Sequence, residues 1–333
     1  MRSKFGFLMI ALACVFATSI SVLAEGPPPW AYGFTTPPGT AAPAATPAAA
    51  PAAPDPTPRH VPGSDKVFTR QQIANQYGPG DWFPDDHGPM PDIVAHGRQD
   101  AMIAACGLCH YPNGKGRPEN AGVSGLPISY FIQTMHDFRD GLRKSADSRK
   151  ANTNRMISFA KNMTEDEIKA AADYFATMKW TPWMTKVVET DMVPKTRPNN
   201  GMFLTLEANE KEPIGQRLIE TPVDAEATEV LRNDHSGFIV YAPPGSLKKG
   251  EALVKTGAGR TIACGLCHGE NLRGLGPVPG LAGRSPSYLA RQLYDMQAGF
   301  RKGEWTSLMK PVVAKLTDDD LIAITAYVAS MTP

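Results

Sequence analysis

The densest apolar run lies at the start of the chain, where Phe5 to Val15 follow the basic residues Arg2 and Lys4, and Val22-Leu23-Ala24 stands before Glu25. A basic start, a short apolar stretch and a small-residue site together describe an export signal removed after residue 24. So short a stretch does not span a bilayer. A lipid anchor on Cys14 is the competing reading, but the position three before it is alanine and apolar sequence continues to Leu23. From 25 to 64 periodicity gives way to proline and alanine, the composition of a semi-extended linker, and ordered structure is expected to begin near Phe68. Helical spacing follows. Phe131, Met135 and Phe138 fall three and four apart between Tyr130 and Gly141, and Leu289, Leu293 and Met296 do the same between Tyr288 and Gly299. Thr164-Glu165-Asp166-Glu167 and Thr317-Asp318-Asp319-Asp320 each open a further helix, with acid at its positive end. The stretch 181–245 has short β-prone runs instead, at 186–190, 202–206 and 237–241, separated by Pro and Gly. Two or three strands packed on the helical parts are expected there, since a structureless segment of that length is uncommon.

The helical pattern occurs twice, and the copies align in detail. Cys106-Gly107-Leu108-Cys109-His110 returns letter for letter as Cys264-Gly265-Leu266-Cys267-His268. The next twenty residues align without a gap, so that Gly116, Gly122, Gly125, Ser129 and Tyr130 meet Gly274, Gly280, Gly283, Ser287 and Tyr288. Arg143 and Arg301 occupy matching places beyond the Tyr-led helices.

C-x-x-C-H is the attachment signature of c-type haem. Cysteines three apart on one helical turn share a face, where they can form thioethers with the two vinyl groups of one porphyrin. The adjacent histidine then becomes the proximal iron ligand. C-x-x-C also serves zinc and redox sites, but two identical copies, each ending in histidine, in an exported chain point to two covalent haems. With Cys14 removed, all four remaining cysteines lie in these motifs, so no disulfide is expected.

Each unit must supply a second axial ligand, and methionine or histidine suits low-spin iron. No histidine follows His268, which leaves Met296, Met309 and Met331. Met309 stands eight residues before Thr317, in an expected loop near Pro311, and Met156 stands eight before Thr164. Met296 and Met331 read as core residues of their helices. The ligand pairs expected are His110/Met156 and His268/Met309, with His136 as the rival to Met156. Met135, Met163 and Met178 read as packing. His60, His87, His96 and His235 read as surface or structural residues.

The order of C-x-x-C-H, a Pro-x-Leu-x-Gly loop, a Tyr-led helix closing on Gly-x-Arg, a lone methionine and an acid-capped helix resembles class I cytochrome c domains. Two in tandem resemble the di-haem cytochromes of the c-four type. The second unit carries the pattern in Pro279-Gly280-Leu281-Ala282-Gly283, Tyr288, Gly299-Phe300-Arg301 and Met309. The resemblance implies a mainly α fold, two class I domains and two haem c groups. It also gives the Pro279 carbonyl the role of accepting a hydrogen bond from the proximal histidine ring, which fixes its tautomer. Ala121 stands at that place in the first unit, where five extra residues also separate Arg143 from Met156 (13 against 8). Arg143 and Arg301 either pair with haem propionates, as a guanidinium fork allows, or are solvated. Tyr130 and Tyr288 either point at propionates or pack. The expected organisation is signal 1–24, linker 25–64, first domain with an extension 65–180, inter-domain segment 181–245 and second domain 246–333.

Charged residues make up 20% of the chain and the formal net charge is +1, which excludes the basic footprint of nucleic-acid binding. A periplasmic one-electron carrier, or the electron-transfer subunit of a respiratory or oxidative assembly, is the leading function. Its partners would be redox proteins: a dehydrogenase, an oxidase or another cytochrome. The mature chain is expected to lack a membrane span, although it could join a membrane complex. The alternative is a di-haem peroxidase, in which the first iron opens to peroxide beside His136.

Overall fold

The computed structural model describes residues 26–40, 55–206 and 210–333. The export signal, the Cys14 anchor and the alanine–proline run at 41–54 lie outside the described residues.

The chain is mainly helical, with short strands between two helical units. It begins with α1, Pro29–Tyr32, inside the stretch read as linker. Trp30, Ala31 and Tyr32 are buried, and the Tyr32 hydroxyl donates to Asp295 Oδ1 at 2.7 Å. Order therefore begins well before Phe68. Aromatic residues supply apolar area that the alanine–proline run lacks, enough to hold a short turn of helix in place.

The first unit contains α2 (Cys106–His110), α3 (Ile128–Arg139), α4 (Ala151–Asn162) and α5 (Glu165–Ala176). Thr164 and Glu167 cap α5 reciprocally, and its buried face carries Ile168, Ala171, Ala172 and Phe175. Residues 55–91 form a satellite core of Val61, Ile73, Trp82 and Phe83, tied to the middle segment where Trp82 Nε1 donates to the Leu231 carbonyl at 2.7 Å.

Among its described residues the middle segment holds seven strands: β1 (Met184–Glu189), β2 (Met192–Pro194), β3 (Thr196–Asn199), β4 (Met202–Thr205), β5 (Lys211–Pro213), β6 (Ile219–Pro222) and β7 (Phe238–Ala242). They make a three-stranded sheet in the order β1-β7-β6 and two separate pairs, β2-β5 and β3-β4. β1 and β7 run parallel, while β6 is antiparallel to β7. The three β-prone runs became β1, β4 and β7. β6 escaped notice because Glu220 and Pro222 interrupt its apolar pattern.

The second unit contains α6 (Ser246–Thr256), α7 (Gly265–His268), α8 (Pro286–Gln297), α9 (Thr306–Val313) and α10 (Asp318–Ser330). α6 crosses α10 at Gly250, where a side chain would strike the Ala323 carbonyl. α10 is apolar all round because it is covered on two sides. Leu321, Ile324 and Val328 face the core of its own unit, whereas Ile322, Ala326 and Ala329 join Phe238, Val240 and Ala242 of the sheet. α5 has no such second cover and keeps a polar outer face.

The two units meet in a short antiparallel exchange around Arg143 and Arg301. Lys144 N–H donates to the Phe300 carbonyl and Lys302 N–H to the Leu142 carbonyl, both at 2.8 Å.

Candidate haem sites

Each C-x-x-C-H motif is one turn of helix, α2 or α7, that stops at the residue after histidine. There the backbone takes a positive φ with extended ψ: Tyr111 at φ 63°, ψ 156° and Gly269 at φ 82°, ψ 156°. Glycine adopts this conformation freely and tyrosine does not. The first unit holds it by burying the Tyr111 ring edge-on to Trp183, at 6.3 Å between centroids.

The motif histidines are oriented alike. His110 Nδ1 lies 2.8 Å from the Ala121 carbonyl oxygen, and His268 Nδ1 lies 2.8 Å from that of Pro279. The Ala121 carbonyl thus has the same direction without the proline. Burial pushes both imidazoles below their ordinary pKa, the carbonyl bonds opposing it, which favours the neutral form of each ring. With Nδ1 bonded, Nε2 keeps its lone pair for a metal. Burial pushes the Cys106 thiol up to about 12 and the Cys264 thiol up to about 11, the opposite of the lowered values that mark reactive redox cysteines.

Beside His110 lie two adjoining cavities of about 650 and 810 Å³, both lined by Phe131, Met135 and Met156. Beside His268 lies one of about 1660 Å³, whose lining includes Leu293, Met296 and Met309. The structure therefore gathers histidine, cysteines and aligned methionine around one space in each unit. Both methionines stand on helices, Met156 on α4 and Met309 on α9, rather than in the expected loop. Pro311 lies inside α9 without ending it. Met135 and Met163, read as packing, also line the first site. His136 points elsewhere. Its Nε2 lies 2.9 Å from Glu165 Oε2, and it is absent from the lining of these cavities.

Arg143 and Arg301 are buried at 6% and 7% exposure, which overturns the solvated alternative. Each reaches across to the other unit. Arg143 Nη2 donates to the Tyr288 hydroxyl at 3.1 Å and Arg301 Nη2 to the Tyr130 hydroxyl at 2.8 Å. Gln292 Oε1 accepts from both arginines, at 2.8 and 3.1 Å. Burial pushes the Tyr130 hydroxyl up, but Arg301 and Arg143 outweigh it and bring the group down to about 8. Tyr130, Tyr288 and Gln292 line the cavities of both units and so form a shared wall.

Comparison with known proteins decides the family. Residues 94–179 match the cytochrome c family. Cytochrome c4 of Pseudomonas aeruginosa is 24% identical over 249 residues, 72% of this chain and 92% of that one. A thiosulfate dehydrogenase electron acceptor of Thiomonas intermedia is 26% identical over 231 residues, 68% of this chain and 78% of that one. Cytochrome c-554(548) of Halomonas halodenitrificans is 40% identical over 68 residues, 20% of this chain and 82% of that one. The chain is a c4-like class I cytochrome c.

A cytochrome of this class binds haem c, and the residues fit the group. Each site offers paired thiols on one helical face, an oriented neutral imidazole, a thioether and an apolar space. The interface residues Gln292, Arg284 and Arg291 were missed from sequence. Ser287, Arg291 and Asp295 recur every four residues on α8, a polar face that reads as solvated until another surface is seen to cover it. Arg291 donates to the Ala31 and Pro118 carbonyls at 2.6 and 2.8 Å, and Arg284 to those of Gly122 and Ser124 at 2.7 and 3.1 Å. Among the described residues no helix is long and apolar enough to cross a membrane.

Proposed function

We propose that this cytochrome is a di-haem one-electron carrier, working free or as the electron-transfer subunit of a larger assembly, in the periplasm. Cys106 and Cys109 would hold the first haem with His110 and Met156 as axial ligands. Cys264, Cys267, His268 and Met309 would do the same for the second. Bound haem supplies the ferrous–ferric couple; the protein supplies ligation, burial and a docking surface. With histidine and methionine committed to each iron, no position remains for substrate. The observation that carries this reading is the arrangement of two cavities, each flanked by His and Met, on one wall of Tyr130, Tyr288 and Gln292 bridged by Arg143 and Arg301. That wall is one of the contacts between the two units, and its bonds would help to hold the two haems in fixed relation.

A redox protein partner follows from the absence of a substrate position in this scheme, and a periplasmic dehydrogenase is the favoured donor. The relative named as a thiosulfate dehydrogenase electron acceptor supports that choice. The peroxidase alternative loses its acid–base candidate, because His136 is held by Glu165 outside the site. Haem quantification of the purified full-length protein tests the reading. Two covalent haems per chain, reduced by a dehydrogenase without peroxide turnover, are expected; one haem per chain, or peroxide turnover at an enzymatic rate, overturns it.

A further inference from the structure

Lys150 ends the loop that lengthens the first unit, and it stands just before α4. The residue is 4% exposed, and its Nζ has no hydrogen-bond partner among the described residues. The head lies under the turn between β3 and β4, close to Gly201 and to the Glu119 side chain. Neither nearby carboxylate makes a hydrogen bond to it, although both Glu119 oxygens also lack a hydrogen-bond partner among the described residues. Glu119 pairs with Arg117 Nε at 2.7 Å and Asp147 with Arg149 Nη2 at 2.7 Å. Burial pushes the Lys150 ammonium down to about 7, with Arg291 adding to the effect and Glu119 and Asp147 only partly opposing it. A buried ammonium without a hydrogen-bond partner is costly, and proteins normally pair or neutralise it.

Lys150 lines the cavity that also contains His110 and Met156, together with the polar residues Glu119, Arg143, Arg291 and Asp295. The cavity beside His268 has no lysine in its lining. We propose that Lys150 binds a propionate carboxylate of the haem in the first site, as a charge partner that the second site lacks. This inference rests on the di-haem reading. Its consequence is electrostatic: a fixed cation beside the first haem favours the reduced form of that haem alone. At an effective dielectric near 20, one charge about 10 Å away is worth roughly tenfold in the reduction equilibrium, which is about 59 mV for one electron.

The test is a spectroelectrochemical titration of the full-length, haem-loaded protein and its Lys150→Met and Lys150→Arg variants, with redox-difference infrared spectra of the haem carboxylates. Lys150→Met should lower one of the two potentials by about that amount, leave the other in place and shift a carboxylate band. Lys150→Arg should restore both readouts. Should Lys150→Met fail to load haem, Lys150→Gln gives the same comparison with a polar neutral head. Unchanged potentials and carboxylate bands, or an effect reproduced by Glu119→Gln in the Lys150 background, would show that Lys150 serves only Glu119 and would overturn the proposal. Failure of the di-haem reading shows separately, as fewer than two haems per chain in the wild type.

Discussion

The two haem motifs are identical in sequence and differ in exposure. Leu108 is 8% exposed, whereas Leu266, at the same position in the second copy, is 72% exposed. Cys267 is likewise exposed, and Cys109 only half so. Leu108 packs with Ala104, Ala105 and Phe159 of α4; Val312 holds the position of Phe159 in the second unit. Gln76, from the extension that precedes the first unit, also accepts the Ala105 N–H at 2.8 Å. One local sequence thus gives two surfaces, because what covers a motif comes from elsewhere in the chain. The second unit presents the edge that carries its paired cysteines, with exposed Ile262, Leu266 and Leu308 near it, and the first is enclosed. Under the carrier reading, exchange with large partners runs through the second site, and the first site is set mainly by its buried surroundings.

The largest way to break this comparison is to remove one haem. Cys264→Ser with Cys267→Ser should leave the second unit largely unfolded, because a domain this small is marginal when much of its core is missing. The enclosed first unit should keep its haem. Protease resistance and native helix content in the second unit without haem would count against this.

Next come the axial ligands. Met309→Ala should abolish the sulfur-to-iron charge-transfer band of the second haem and lower its potential, since thioether ligation favours the ferrous state. Met156→Ala should do so for the first, and His136→Ala should leave both bands intact. A spectrum altered by His136→Ala but not by Met156→Ala would make the first haem bis-histidine.

A smaller effect is expected where the N-terminal turn grips the second unit. Tyr32→Phe leaves buried Asp295 with one hydrogen bond fewer, keeping only the Ala146 N–H at 2.8 Å. Leaving such a group under-satisfied costs about 1–3 kcal/mol, read as a lower denaturant midpoint. An unchanged midpoint would show that the Tyr32 hydroxyl does not contribute to the grip of α1 on the second unit.

The repeat, both C-x-x-C-H motifs and the Tyr-led and acid-capped helices of each copy were legible in sequence, because each is local: spacing of apolar residues, capping signals and a five-residue signature. The cross-unit contacts were not. Arg143 and Arg301 could be matched to each other by alignment, yet that each bonds the tyrosine of the opposite unit depends on how the units pack. For α1 the signal was present, as Trp30, Tyr32 and Phe34 in an otherwise proline- and alanine-rich stretch, but composition averaged it away. Lys150 looked like one more charged loop residue. Its burial comes from the β3–β4 turn, fifty residues further along the chain.

The smallest effect concerns pH. Glu220, on β6, is buried against the start of α8, accepting from Ser287 N–H at 2.6 Å and the Ser285 hydroxyl at 2.9 Å. Burial, opposed by these bonds, pushes its carboxyl up from 4.5 to about 7. The folded state therefore holds a proton that the unfolded state has released. This contribution to stability is complete below pH 4.5 and is lost as pH rises through about 7. Glu220→Gln should flatten unfolding free energy across that window, and an unaltered pH profile would remove Glu220 as its cause.

The most direct test of the central claim is an optical redox titration of the intact protein with carbon monoxide added to the reduced form. Two sites with His/Met ligation and different surroundings predict two resolvable one-electron steps and no ready carbon monoxide binding at neutral pH. A single haem step, or rapid carbon monoxide binding to one haem, would contradict it.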